Sequence, residues 1–533
     1  MFSKKLPEFL IKNSPYFLAL ASGLLLAVSF PPSRFGWLVF FAFIPLLIAL
    51  RKKSVTPKAS FWLGVIAGLI FFAWGLRWFF SAGPLNWAGI NSNLLGWCLI
   101  ALVWLITALG MAVFWGLFAY TAKKFFWRKK PRLLLVAPLF VVAEYLRSWG
   151  TGLLWAGSEA KLGPFWTFVN PAYALSQFFK WRILAGLGGI YLIELLIIFL
   201  NCALLYLLWE KKDIRKKLLF AAVFLLLLAI NLSPYFATDN GAPTETVFLV
   251  QTNQPSNFNE TQVDREVRFQ QEVSLLEKIS QESFQRAIIF LPEDSRFLKD
   301  FPLATQAILR GIFADKDVLV VDSSRTLLDG KNFDFIYFYN SATQKIVAKS
   351  PKIFLMPGGE YLPFAVKLSS IIFGKGDFIE RFNFSRQYFS GKFLKVAHWQ
   401  NIALGGELCS AVMAPSIYRQ ATTQGAGLLF NLASHGIFKG SPVLEAQTLA
   451  MAQMRAAENN RSFVQAINVG HSFALDNRGN LAKQSDSPEA GYLRIETEII
   501  TAKSLYSLAG DWIVLVSLLA LCVAIFKEQF SKR

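Results

Sequence analysis

The sequence predicts a polytopic α-helical membrane bundle joined to one α/β domain of soluble character. Three observations predict it. Long apolar runs fill residues 15–234 and return at 509–526, and each approaches the ~20 residues that a bilayer core of about 30 Å demands of a helix. Residues 245–500 instead alternate short β-branched and aromatic runs with longer helical patterns, as an α/β domain does. The third observation is where the charge sits.

The 533 residues carry a formal net charge of +19, and most of it falls in five clusters. They are Lys4, Lys5 and Lys12; Arg51, Lys52, Lys53 and Lys58; Lys123, Lys124, Arg128, Lys129, Lys130 and Arg132; Lys211, Lys212, Arg215, Lys216 and Lys217; and Lys527, Lys532 and Arg533. Elsewhere acids and bases nearly balance. Clusters that punctuate apolar runs mark cytoplasmic loops, not a nucleic-acid footprint, so no nucleic-acid partner is expected. Placed inside, they alternate with segments at 15–30, 35–50, 59–80, 94–120, 131–148, 182–208, 217–234 and 509–526. About eight spans result, with both termini in the cytoplasm. The expected division is a helical bundle over 1–234, an extracytoplasmic domain over 235–508, and a last helix with a cytoplasmic tail over 509–533. The first run reads as a span and not as a cleaved signal, because Phe30-Pro31-Pro32 follows it and a second span starts at once.

In the outside domain the expected strands are Thr246–Thr252, Ala287–Leu291, Asp317–Asp322, Phe335–Tyr339, Asn401–Leu408, Gly427–Asn431 and Phe463–Asn468. Helical patterns fall near 260–284, 300–314, 411–423 and 442–460. The strands are apolar on both faces, which requires helices on both sides of the sheet.

Of four cysteines, Cys98, Cys202 and Cys522 lie in apolar spans, where a small buried hydrophobe is the ordinary reading. Cys409 is the one thiol outside. With three scattered histidines it makes a poor zinc set, so no metal and no cofactor are expected. Three groups fall at strand ends, where α/β domains place reactive side chains. Glu293 follows the strand AIIFL in Leu-Pro-Glu-Asp, Lys352 opens the stretch Lys352–Phe364, and Cys409 ends the strand that starts near Asn401. Taken singly, Glu293 could cap a helix and Lys352 could be a solvated charge.

Glu, Lys and Cys in this chain order resemble the catalytic set of the nitrilase (carbon–nitrogen hydrolase) superfamily. Over nearly the whole chain the sequence resembles the apolipoprotein N-acyltransferase family, which joins such a domain to membrane helices. The resemblance rests on Ser29-Phe30-Pro31-Pro32, Glu144-Tyr145-Leu146-Arg147, Val250-Gln251-Thr252-Asn253, Met454-Arg455-Ala456, and above all the Pro-x-Gly-Glu-Tyr-x-Pro-Phe stretch that follows Lys352. It implies an αββα sandwich of nitrilase type and a multi-pass protein of the bacterial inner membrane with a periplasmic catalytic domain. The implied donor is a membrane phospholipid, and the implied acceptor is the amino group of S-diacylglyceryl-cysteine in an apolipoprotein. A monomer would suffice.

In that frame Cys409 is the nucleophile and Glu293 the base, since a thiol is mostly protonated at neutral pH. Lys352 and a backbone N–H beside Cys409 would stabilise the oxyanion, with Glu360, Glu407 and Ser410 in support. The chain departs from the family where Ser410 and Ala411 replace an aromatic residue and a Glu after the cysteine. Glu407, two residues before the thiol on the same strand face, is the expected substitute. The loop after Asn431 and the Phe258–Glu260 region are also altered. Two other readings therefore stay open: a membrane-tethered amidase or acyltransferase with another acceptor, and a degenerate lipoprotein-binding protein. His398, His435 and His471 read as structural, and Arg455 with Glu458 as a helix-face pair. Glu144 and Arg147 read as either a functional pair or an interfacial anchor.

Overall fold

The computed structural model describes residues 8–126, 133–209, 242–254, 260–372 and 374–530, together with 214 and 218. Helices occupy Glu8–Ser29, the stretch Gly36–Arg51, Pro57–Gly75, Asn93–Thr121, Val136–Leu154, Ala185–Trp209 and Trp512–Phe530, matching seven of the expected spans. Among the described residues, four helical stretches are long and apolar enough to cross a membrane, and three more are apolar but shorter. The expected span at 217–234 and the basic residues at 4–5, 128–132, 211–217 and 532–533 lie outside the described residues.

Local chemistry sets where these helices start and break. Thr56 caps the third by accepting the Ala59 N–H at 3.2 Å, with Pro57 at the first helical position. The span expected at 131–148 runs later, at Val136–Leu154, which places Pro138 in the first turn where its missing N–H costs nothing. The 35–50 segment is divided, with Pro45 opening its last piece, Ile44–Arg51. Ala185–Trp209 breaks at Gly188-Gly189. Gly189 has φ +69°, and a Cβ there would lie 2.6 Å from the Tyr506 ring, so only glycine fits.

Among the described residues, twelve strands build the α/β domain: β1 Thr244–Gln251, β2 Arg286–Phe290, β3 Asp317–Leu328, β4 Lys331–Asn340, β5 Lys345–Pro351, β6 Ala397–Trp399, β7 Ile402–Leu408, β8 Leu428–Ala433, β9 Ser462–Ile467, β10 Phe473–Leu475, β11 Leu481–Gln484 and β12 Gly491–Glu498. They form two six-stranded sheets, ordered β12-β1-β2-β3-β4-β5 and β11-β10-β9-β8-β7-β6. The centre of each is parallel: β1, β2 and β3 in the first, and β7, β8 and β9 in the second. Alternation along each strand divides the side chains between two cores. Val247, Leu249, Ile288 and Phe290 meet Leu404, Phe430 and Val464 between the sheets, with the Phe290 and Phe430 rings 5.1 Å apart. Phe248, Val250, Ile289 and Val320 face the other way, onto helices Gln262–Ser280 and Pro302–Ile312. Helices Pro415–Thr423 and Pro442–Asn459 cover the second sheet, completing four layers, α-β-β-α.

That last helical layer shares one apolar core with the membrane helices. Arg455 and Glu458 form the expected helix-face pair, three residues apart on helix Pro442–Asn459. Both are fully buried, Arg455 Nε lies 2.7 Å from Glu458 Oε2, and Glu458 Oε1 accepts the Ile190 N–H at 3.1 Å beside the Gly188-Gly189 break. The pair thus answers an orphaned N–H inside a membrane helix. Glu144 and Arg147 are likewise fully buried and 2.9 Å apart, which removes the interfacial-anchor reading. Trp115 donates to Glu144 at 2.6 Å, and Arg147 reaches the carbonyls of Trp166 and Phe168, pinning the loop that follows this helix.

Candidate active site

Strand ends bring the three expected groups together. β2 runs out through Leu291 and Pro292 to Glu293, whose N–H donates to the Ala433 carbonyl at 3.4 Å, tying this loop to the end of β8. β5 ends at Pro351, and the Lys352 N–H donates to the Asp334 carbonyl of β4 at 2.7 Å. β7 ends at Leu408, where Cys409 takes a left-handed conformation, φ +46°, and starts the turn Cys409–Met413. A non-glycine residue there costs of order 1–3 kcal/mol and needs its surroundings to hold it. Asn431 of β8 does so, donating to the Cys409 carbonyl at 3.1 Å while itself held by Gln465 and Tyr418.

The Lys352 ammonium, 2% exposed, donates to Glu293 Oε1 at 2.8 Å and to Glu360 Oε1 at 2.7 Å. Glu360 Oε2 accepts the Met356 N–H at 2.7 Å, so the expectation that Glu360 holds the lysine in place fits this geometry. Glu407 is buried at the end of β7. Its carboxylate turns to backbone, accepting the Ile353 N–H at 2.7 Å and the Leu408 N–H at 3.1 Å, and braces the Lys352 and Cys409 segments against each other. Ser410 is buried next to the thiol, and its Oγ has no hydrogen-bond partner among the described residues.

Electrostatics match the groups to one another. Burial pushes the Cys409 thiol up, and the neighbouring Glu293 carboxylate adds to this while Lys352 opposes it, so the resting sulfur carries its proton. The S–H donates to the Ser434 carbonyl at 3.8 Å. Burial also raises Glu293 above the usual carboxylate range, against the pull of Lys352. Lys352 is held charged, because Glu293 and Glu360 outweigh the cost of its burial. A carboxylate made more basic, facing a thiol that cannot ionise unaided, suits proton transfer during attack.

All three groups line one cavity of about 510 Å³. Its far wall is apolar and comes from the bundle: Leu99, Ile100 and Val103 of the Asn93–Thr121 helix, with Trp78, Trp166 and Phe168. Trp155 belongs to the same wall, and its carbonyl accepts the Tyr361 hydroxyl at 3.0 Å, joining the aromatic loop to the stretch after Lys352. None of the three histidines lines it. The sequence reading missed Asp334, which does; it started that strand at Phe335, and the available signal was a carboxylate set between Phe333 and Phe335.

A family model described as the apolipoprotein N-acyltransferase N-terminal domain matches residues 22–203. Among curated proteins, the apolipoprotein N-acyltransferase of Geobacter metallireducens is 25% identical, across 95% of this chain and 94% of its own length. That of Thermotoga maritima is 25% identical, across 96% and 93%. Over nearly its whole length the chain is similar to proteins named apolipoprotein N-acyltransferase. The alignments with the relatives so named span the helical bundle and the α/β domain together. Among solved structures, Saccharomyces cerevisiae Nit3, of the nitrilase superfamily, aligns with 49% of this chain and 93% of its own at 14% identity and a TM-score of 0.36. An amidase from Nesterenkonia sp. aligns with 50% and 95% at 16% identity and the same TM-score, 0.36.

Proposed function

We propose that this chain moves an acyl chain from a membrane phospholipid onto Cys409 as a thioester. It then passes that chain to the amino group of S-diacylglyceryl-cysteine at the start of an apolipoprotein. One observation carries the reading: a single cavity is lined both by Glu293, Lys352 and Cys409 and by apolar side chains of a membrane helix. A water-soluble amide would need no such wall, whereas an acyl chain in the bilayer would. In this reading residues 1–234 and 509–533 form the membrane part, and 235–508 form the catalytic domain on the periplasmic side of the inner membrane. The basic clusters at the opposite loop ends support that orientation.

The steps follow from the geometry. Glu293 takes the thiol proton as sulfur attacks the ester carbonyl, and Lys352 faces the oxyanion. The C–O bond then breaks, Glu293 returns the proton to the departing lysophospholipid oxygen, and the thioester remains. In the second half the acceptor amine loses a proton to Glu293 and attacks the thioester, which releases the thiol and leaves an amide. Burial of the thioester limits loss to water.

The test is an acceptor competition. The purified protein in phospholipid–detergent micelles receives a diacylglyceryl-cysteine peptide and, separately, its N-acetylated form. Acyl transfer to the free amine alone supports the reading. Transfer to neither, with release of free fatty acid or ammonia from simple amides, would favour the amidase alternative.

A further inference from the structure

The cavity wall carries a carboxyl group that the steps above leave unused. Asp334 lies in β4, is 5% exposed and lines the cavity. Its carbonyl accepts the Lys352 N–H at 2.7 Å, so strand pairing fixes it beside the lysine. A carboxylate oxygen of Asp334 and one each from Glu293 and Glu360 all lie within 4.8 Å of one another. Yet the Lys352 ammonium bonds only Glu293 and Glu360, and Asp334 Oδ1 has no hydrogen-bond partner among the described residues.

The groups facing Asp334 can be named from each side. Lys352 and Glu360 come from the segment after β5, and Glu293 and Asp294 from the loop after β2. Arg325 stands opposite in β3, Tyr337 follows on β4 itself, and Tyr388 comes from the segment after helix Gly376–Ser385. Arg325 lies 3.1 Å from Asp294, which Arg296 also holds at 2.6 Å, and neither guanidinium bonds Asp334, so among the described residues Lys352 is the cation bonded within the three-carboxyl cluster. Three carboxylates so close together, with Asp334 buried among them, repel one another, which favours a proton on one of them. The one without a bond to Lys352 is Asp334, and burial together with the neighbouring carboxylates pushes its proton affinity up.

We propose that Asp334 is a positioning residue of this site: a neutral carboxylic acid that donates a hydrogen bond to the Glu293–Glu360 pair and so keeps Glu293 ionised as the base. The inference rests on the acyl-transfer reading for its consequence in turnover. The Asp334 proton does not enter the reaction; the thiol proton travels to Glu293 and on to the leaving oxygen. Ionising Asp334 at high pH would add negative charge beside Lys352, draw the ammonium from the oxyanion and make the thiol harder to ionise. Activity therefore falls on the alkaline side, and an amide at 334, which keeps an N–H donor and cannot ionise, removes that fall.

The experiment follows acylation of Cys409 by intact-protein mass spectrometry between about pH 6 and about pH 10 for the wild type, Asp334→Asn and Asp334→Ala. In parallel, iodoacetamide labelling of Cys409, resolved by peptide mass, reads the thiol without any substrate. Asp334→Asn is expected to keep about a tenth or more of the neutral-pH rate, to lack the alkaline fall, and to label with its rise at lower pH. Asp334→Ala is expected to lose about 100-fold. An Asp334→Asn protein with the wild-type alkaline fall and labelling profile would overturn the inference. So would one as impaired as Asp334→Ala while melting at the wild-type temperature. If the wild type forms no acyl adduct but the labelling profiles separate, the acyl-transfer reading fails and the assignment of Asp334 stands.

Discussion

Each residue of the proposed set owes its chemistry to its surroundings. Burial beside a carboxylate keeps the Cys409 thiol protonated, so in the proposed reaction it depends on Glu293 to become a nucleophile. Glu293→Gln keeps the shape and one hydrogen bond to Lys352 but cannot take a proton. It should slow acylation by about 10²–10⁴-fold at unchanged folding, measured as single-turnover adduct formation. His435 gives a prediction in pH. Burial lowers its pKa to about 4, so the folded protein holds it neutral. Its contribution to stability is complete above the unfolded value near 6.5 and is lost as pH falls through about 4. Unfolding followed in detergent from neutral pH down to about 4 should show a loss of up to about 3 kcal/mol that a His435→Gln protein lacks. Glu293 and Cys409 were legible in the sequence because each follows a recognisable strand, and Lys352 because of the Pro-x-Gly-Glu-Tyr-x-Pro-Phe stretch after it. Asp334 was not, because a single Asp in an aromatic strand says nothing of the lysine that strand pairing sets beside it.

At the scale of elements, strand ends place the groups and short side-chain braces hold them. Glu407 is the main brace, spanning from the end of β7 to Ile353 beside Lys352. Glu407→Ala would leave two buried N–H groups unpaired, at a cost of about 1–3 kcal/mol each. The expected outcome is a lower melting temperature together with a loss of acylation that exceeds the loss of folded protein. Full activity would show that the segments hold their register without it. The strands whose two faces are apolar were legible from their runs. The edge strands β5, β6, β11 and β12 and the three-residue β10 were not, because they are short or exposed. The two short helices Phe364–Ile372 and Gly376–Ser385 also escaped, since their apolar residues are largely exposed and mark no core. The mid-helix break at Gly188-Gly189 had only two glycines as its signal, and Glu458 and Tyr506, which make sense of it, lie far along the chain.

At the scale of the whole molecule, the α/β domain shares a core with the bundle, and one cavity is lined by both the thiol and a membrane helix. If the apolar side of that cavity receives the acyl chain, Val103→Trp should shorten it. Acylation by long-chain phospholipids should then fall about tenfold or more, with short-chain donors affected less, because such a pocket discriminates by about 1–3 kcal/mol per contact changed. Rates measured across a chain-length series read this directly. The two-part organisation was plain from hydropathy and charge. The shared core was not, because Arg455, Glu458 and Ile190 meet only in three dimensions. The most direct measurement is mass spectrometry of the purified protein mixed with a phospholipid of one defined acyl chain. The account predicts a mass gain equal to that acyl chain, on Cys409, released by neutral hydroxylamine and absent from Cys409→Ala. A folded, lipid-bound protein that gains no mass, or gains it elsewhere, would contradict it.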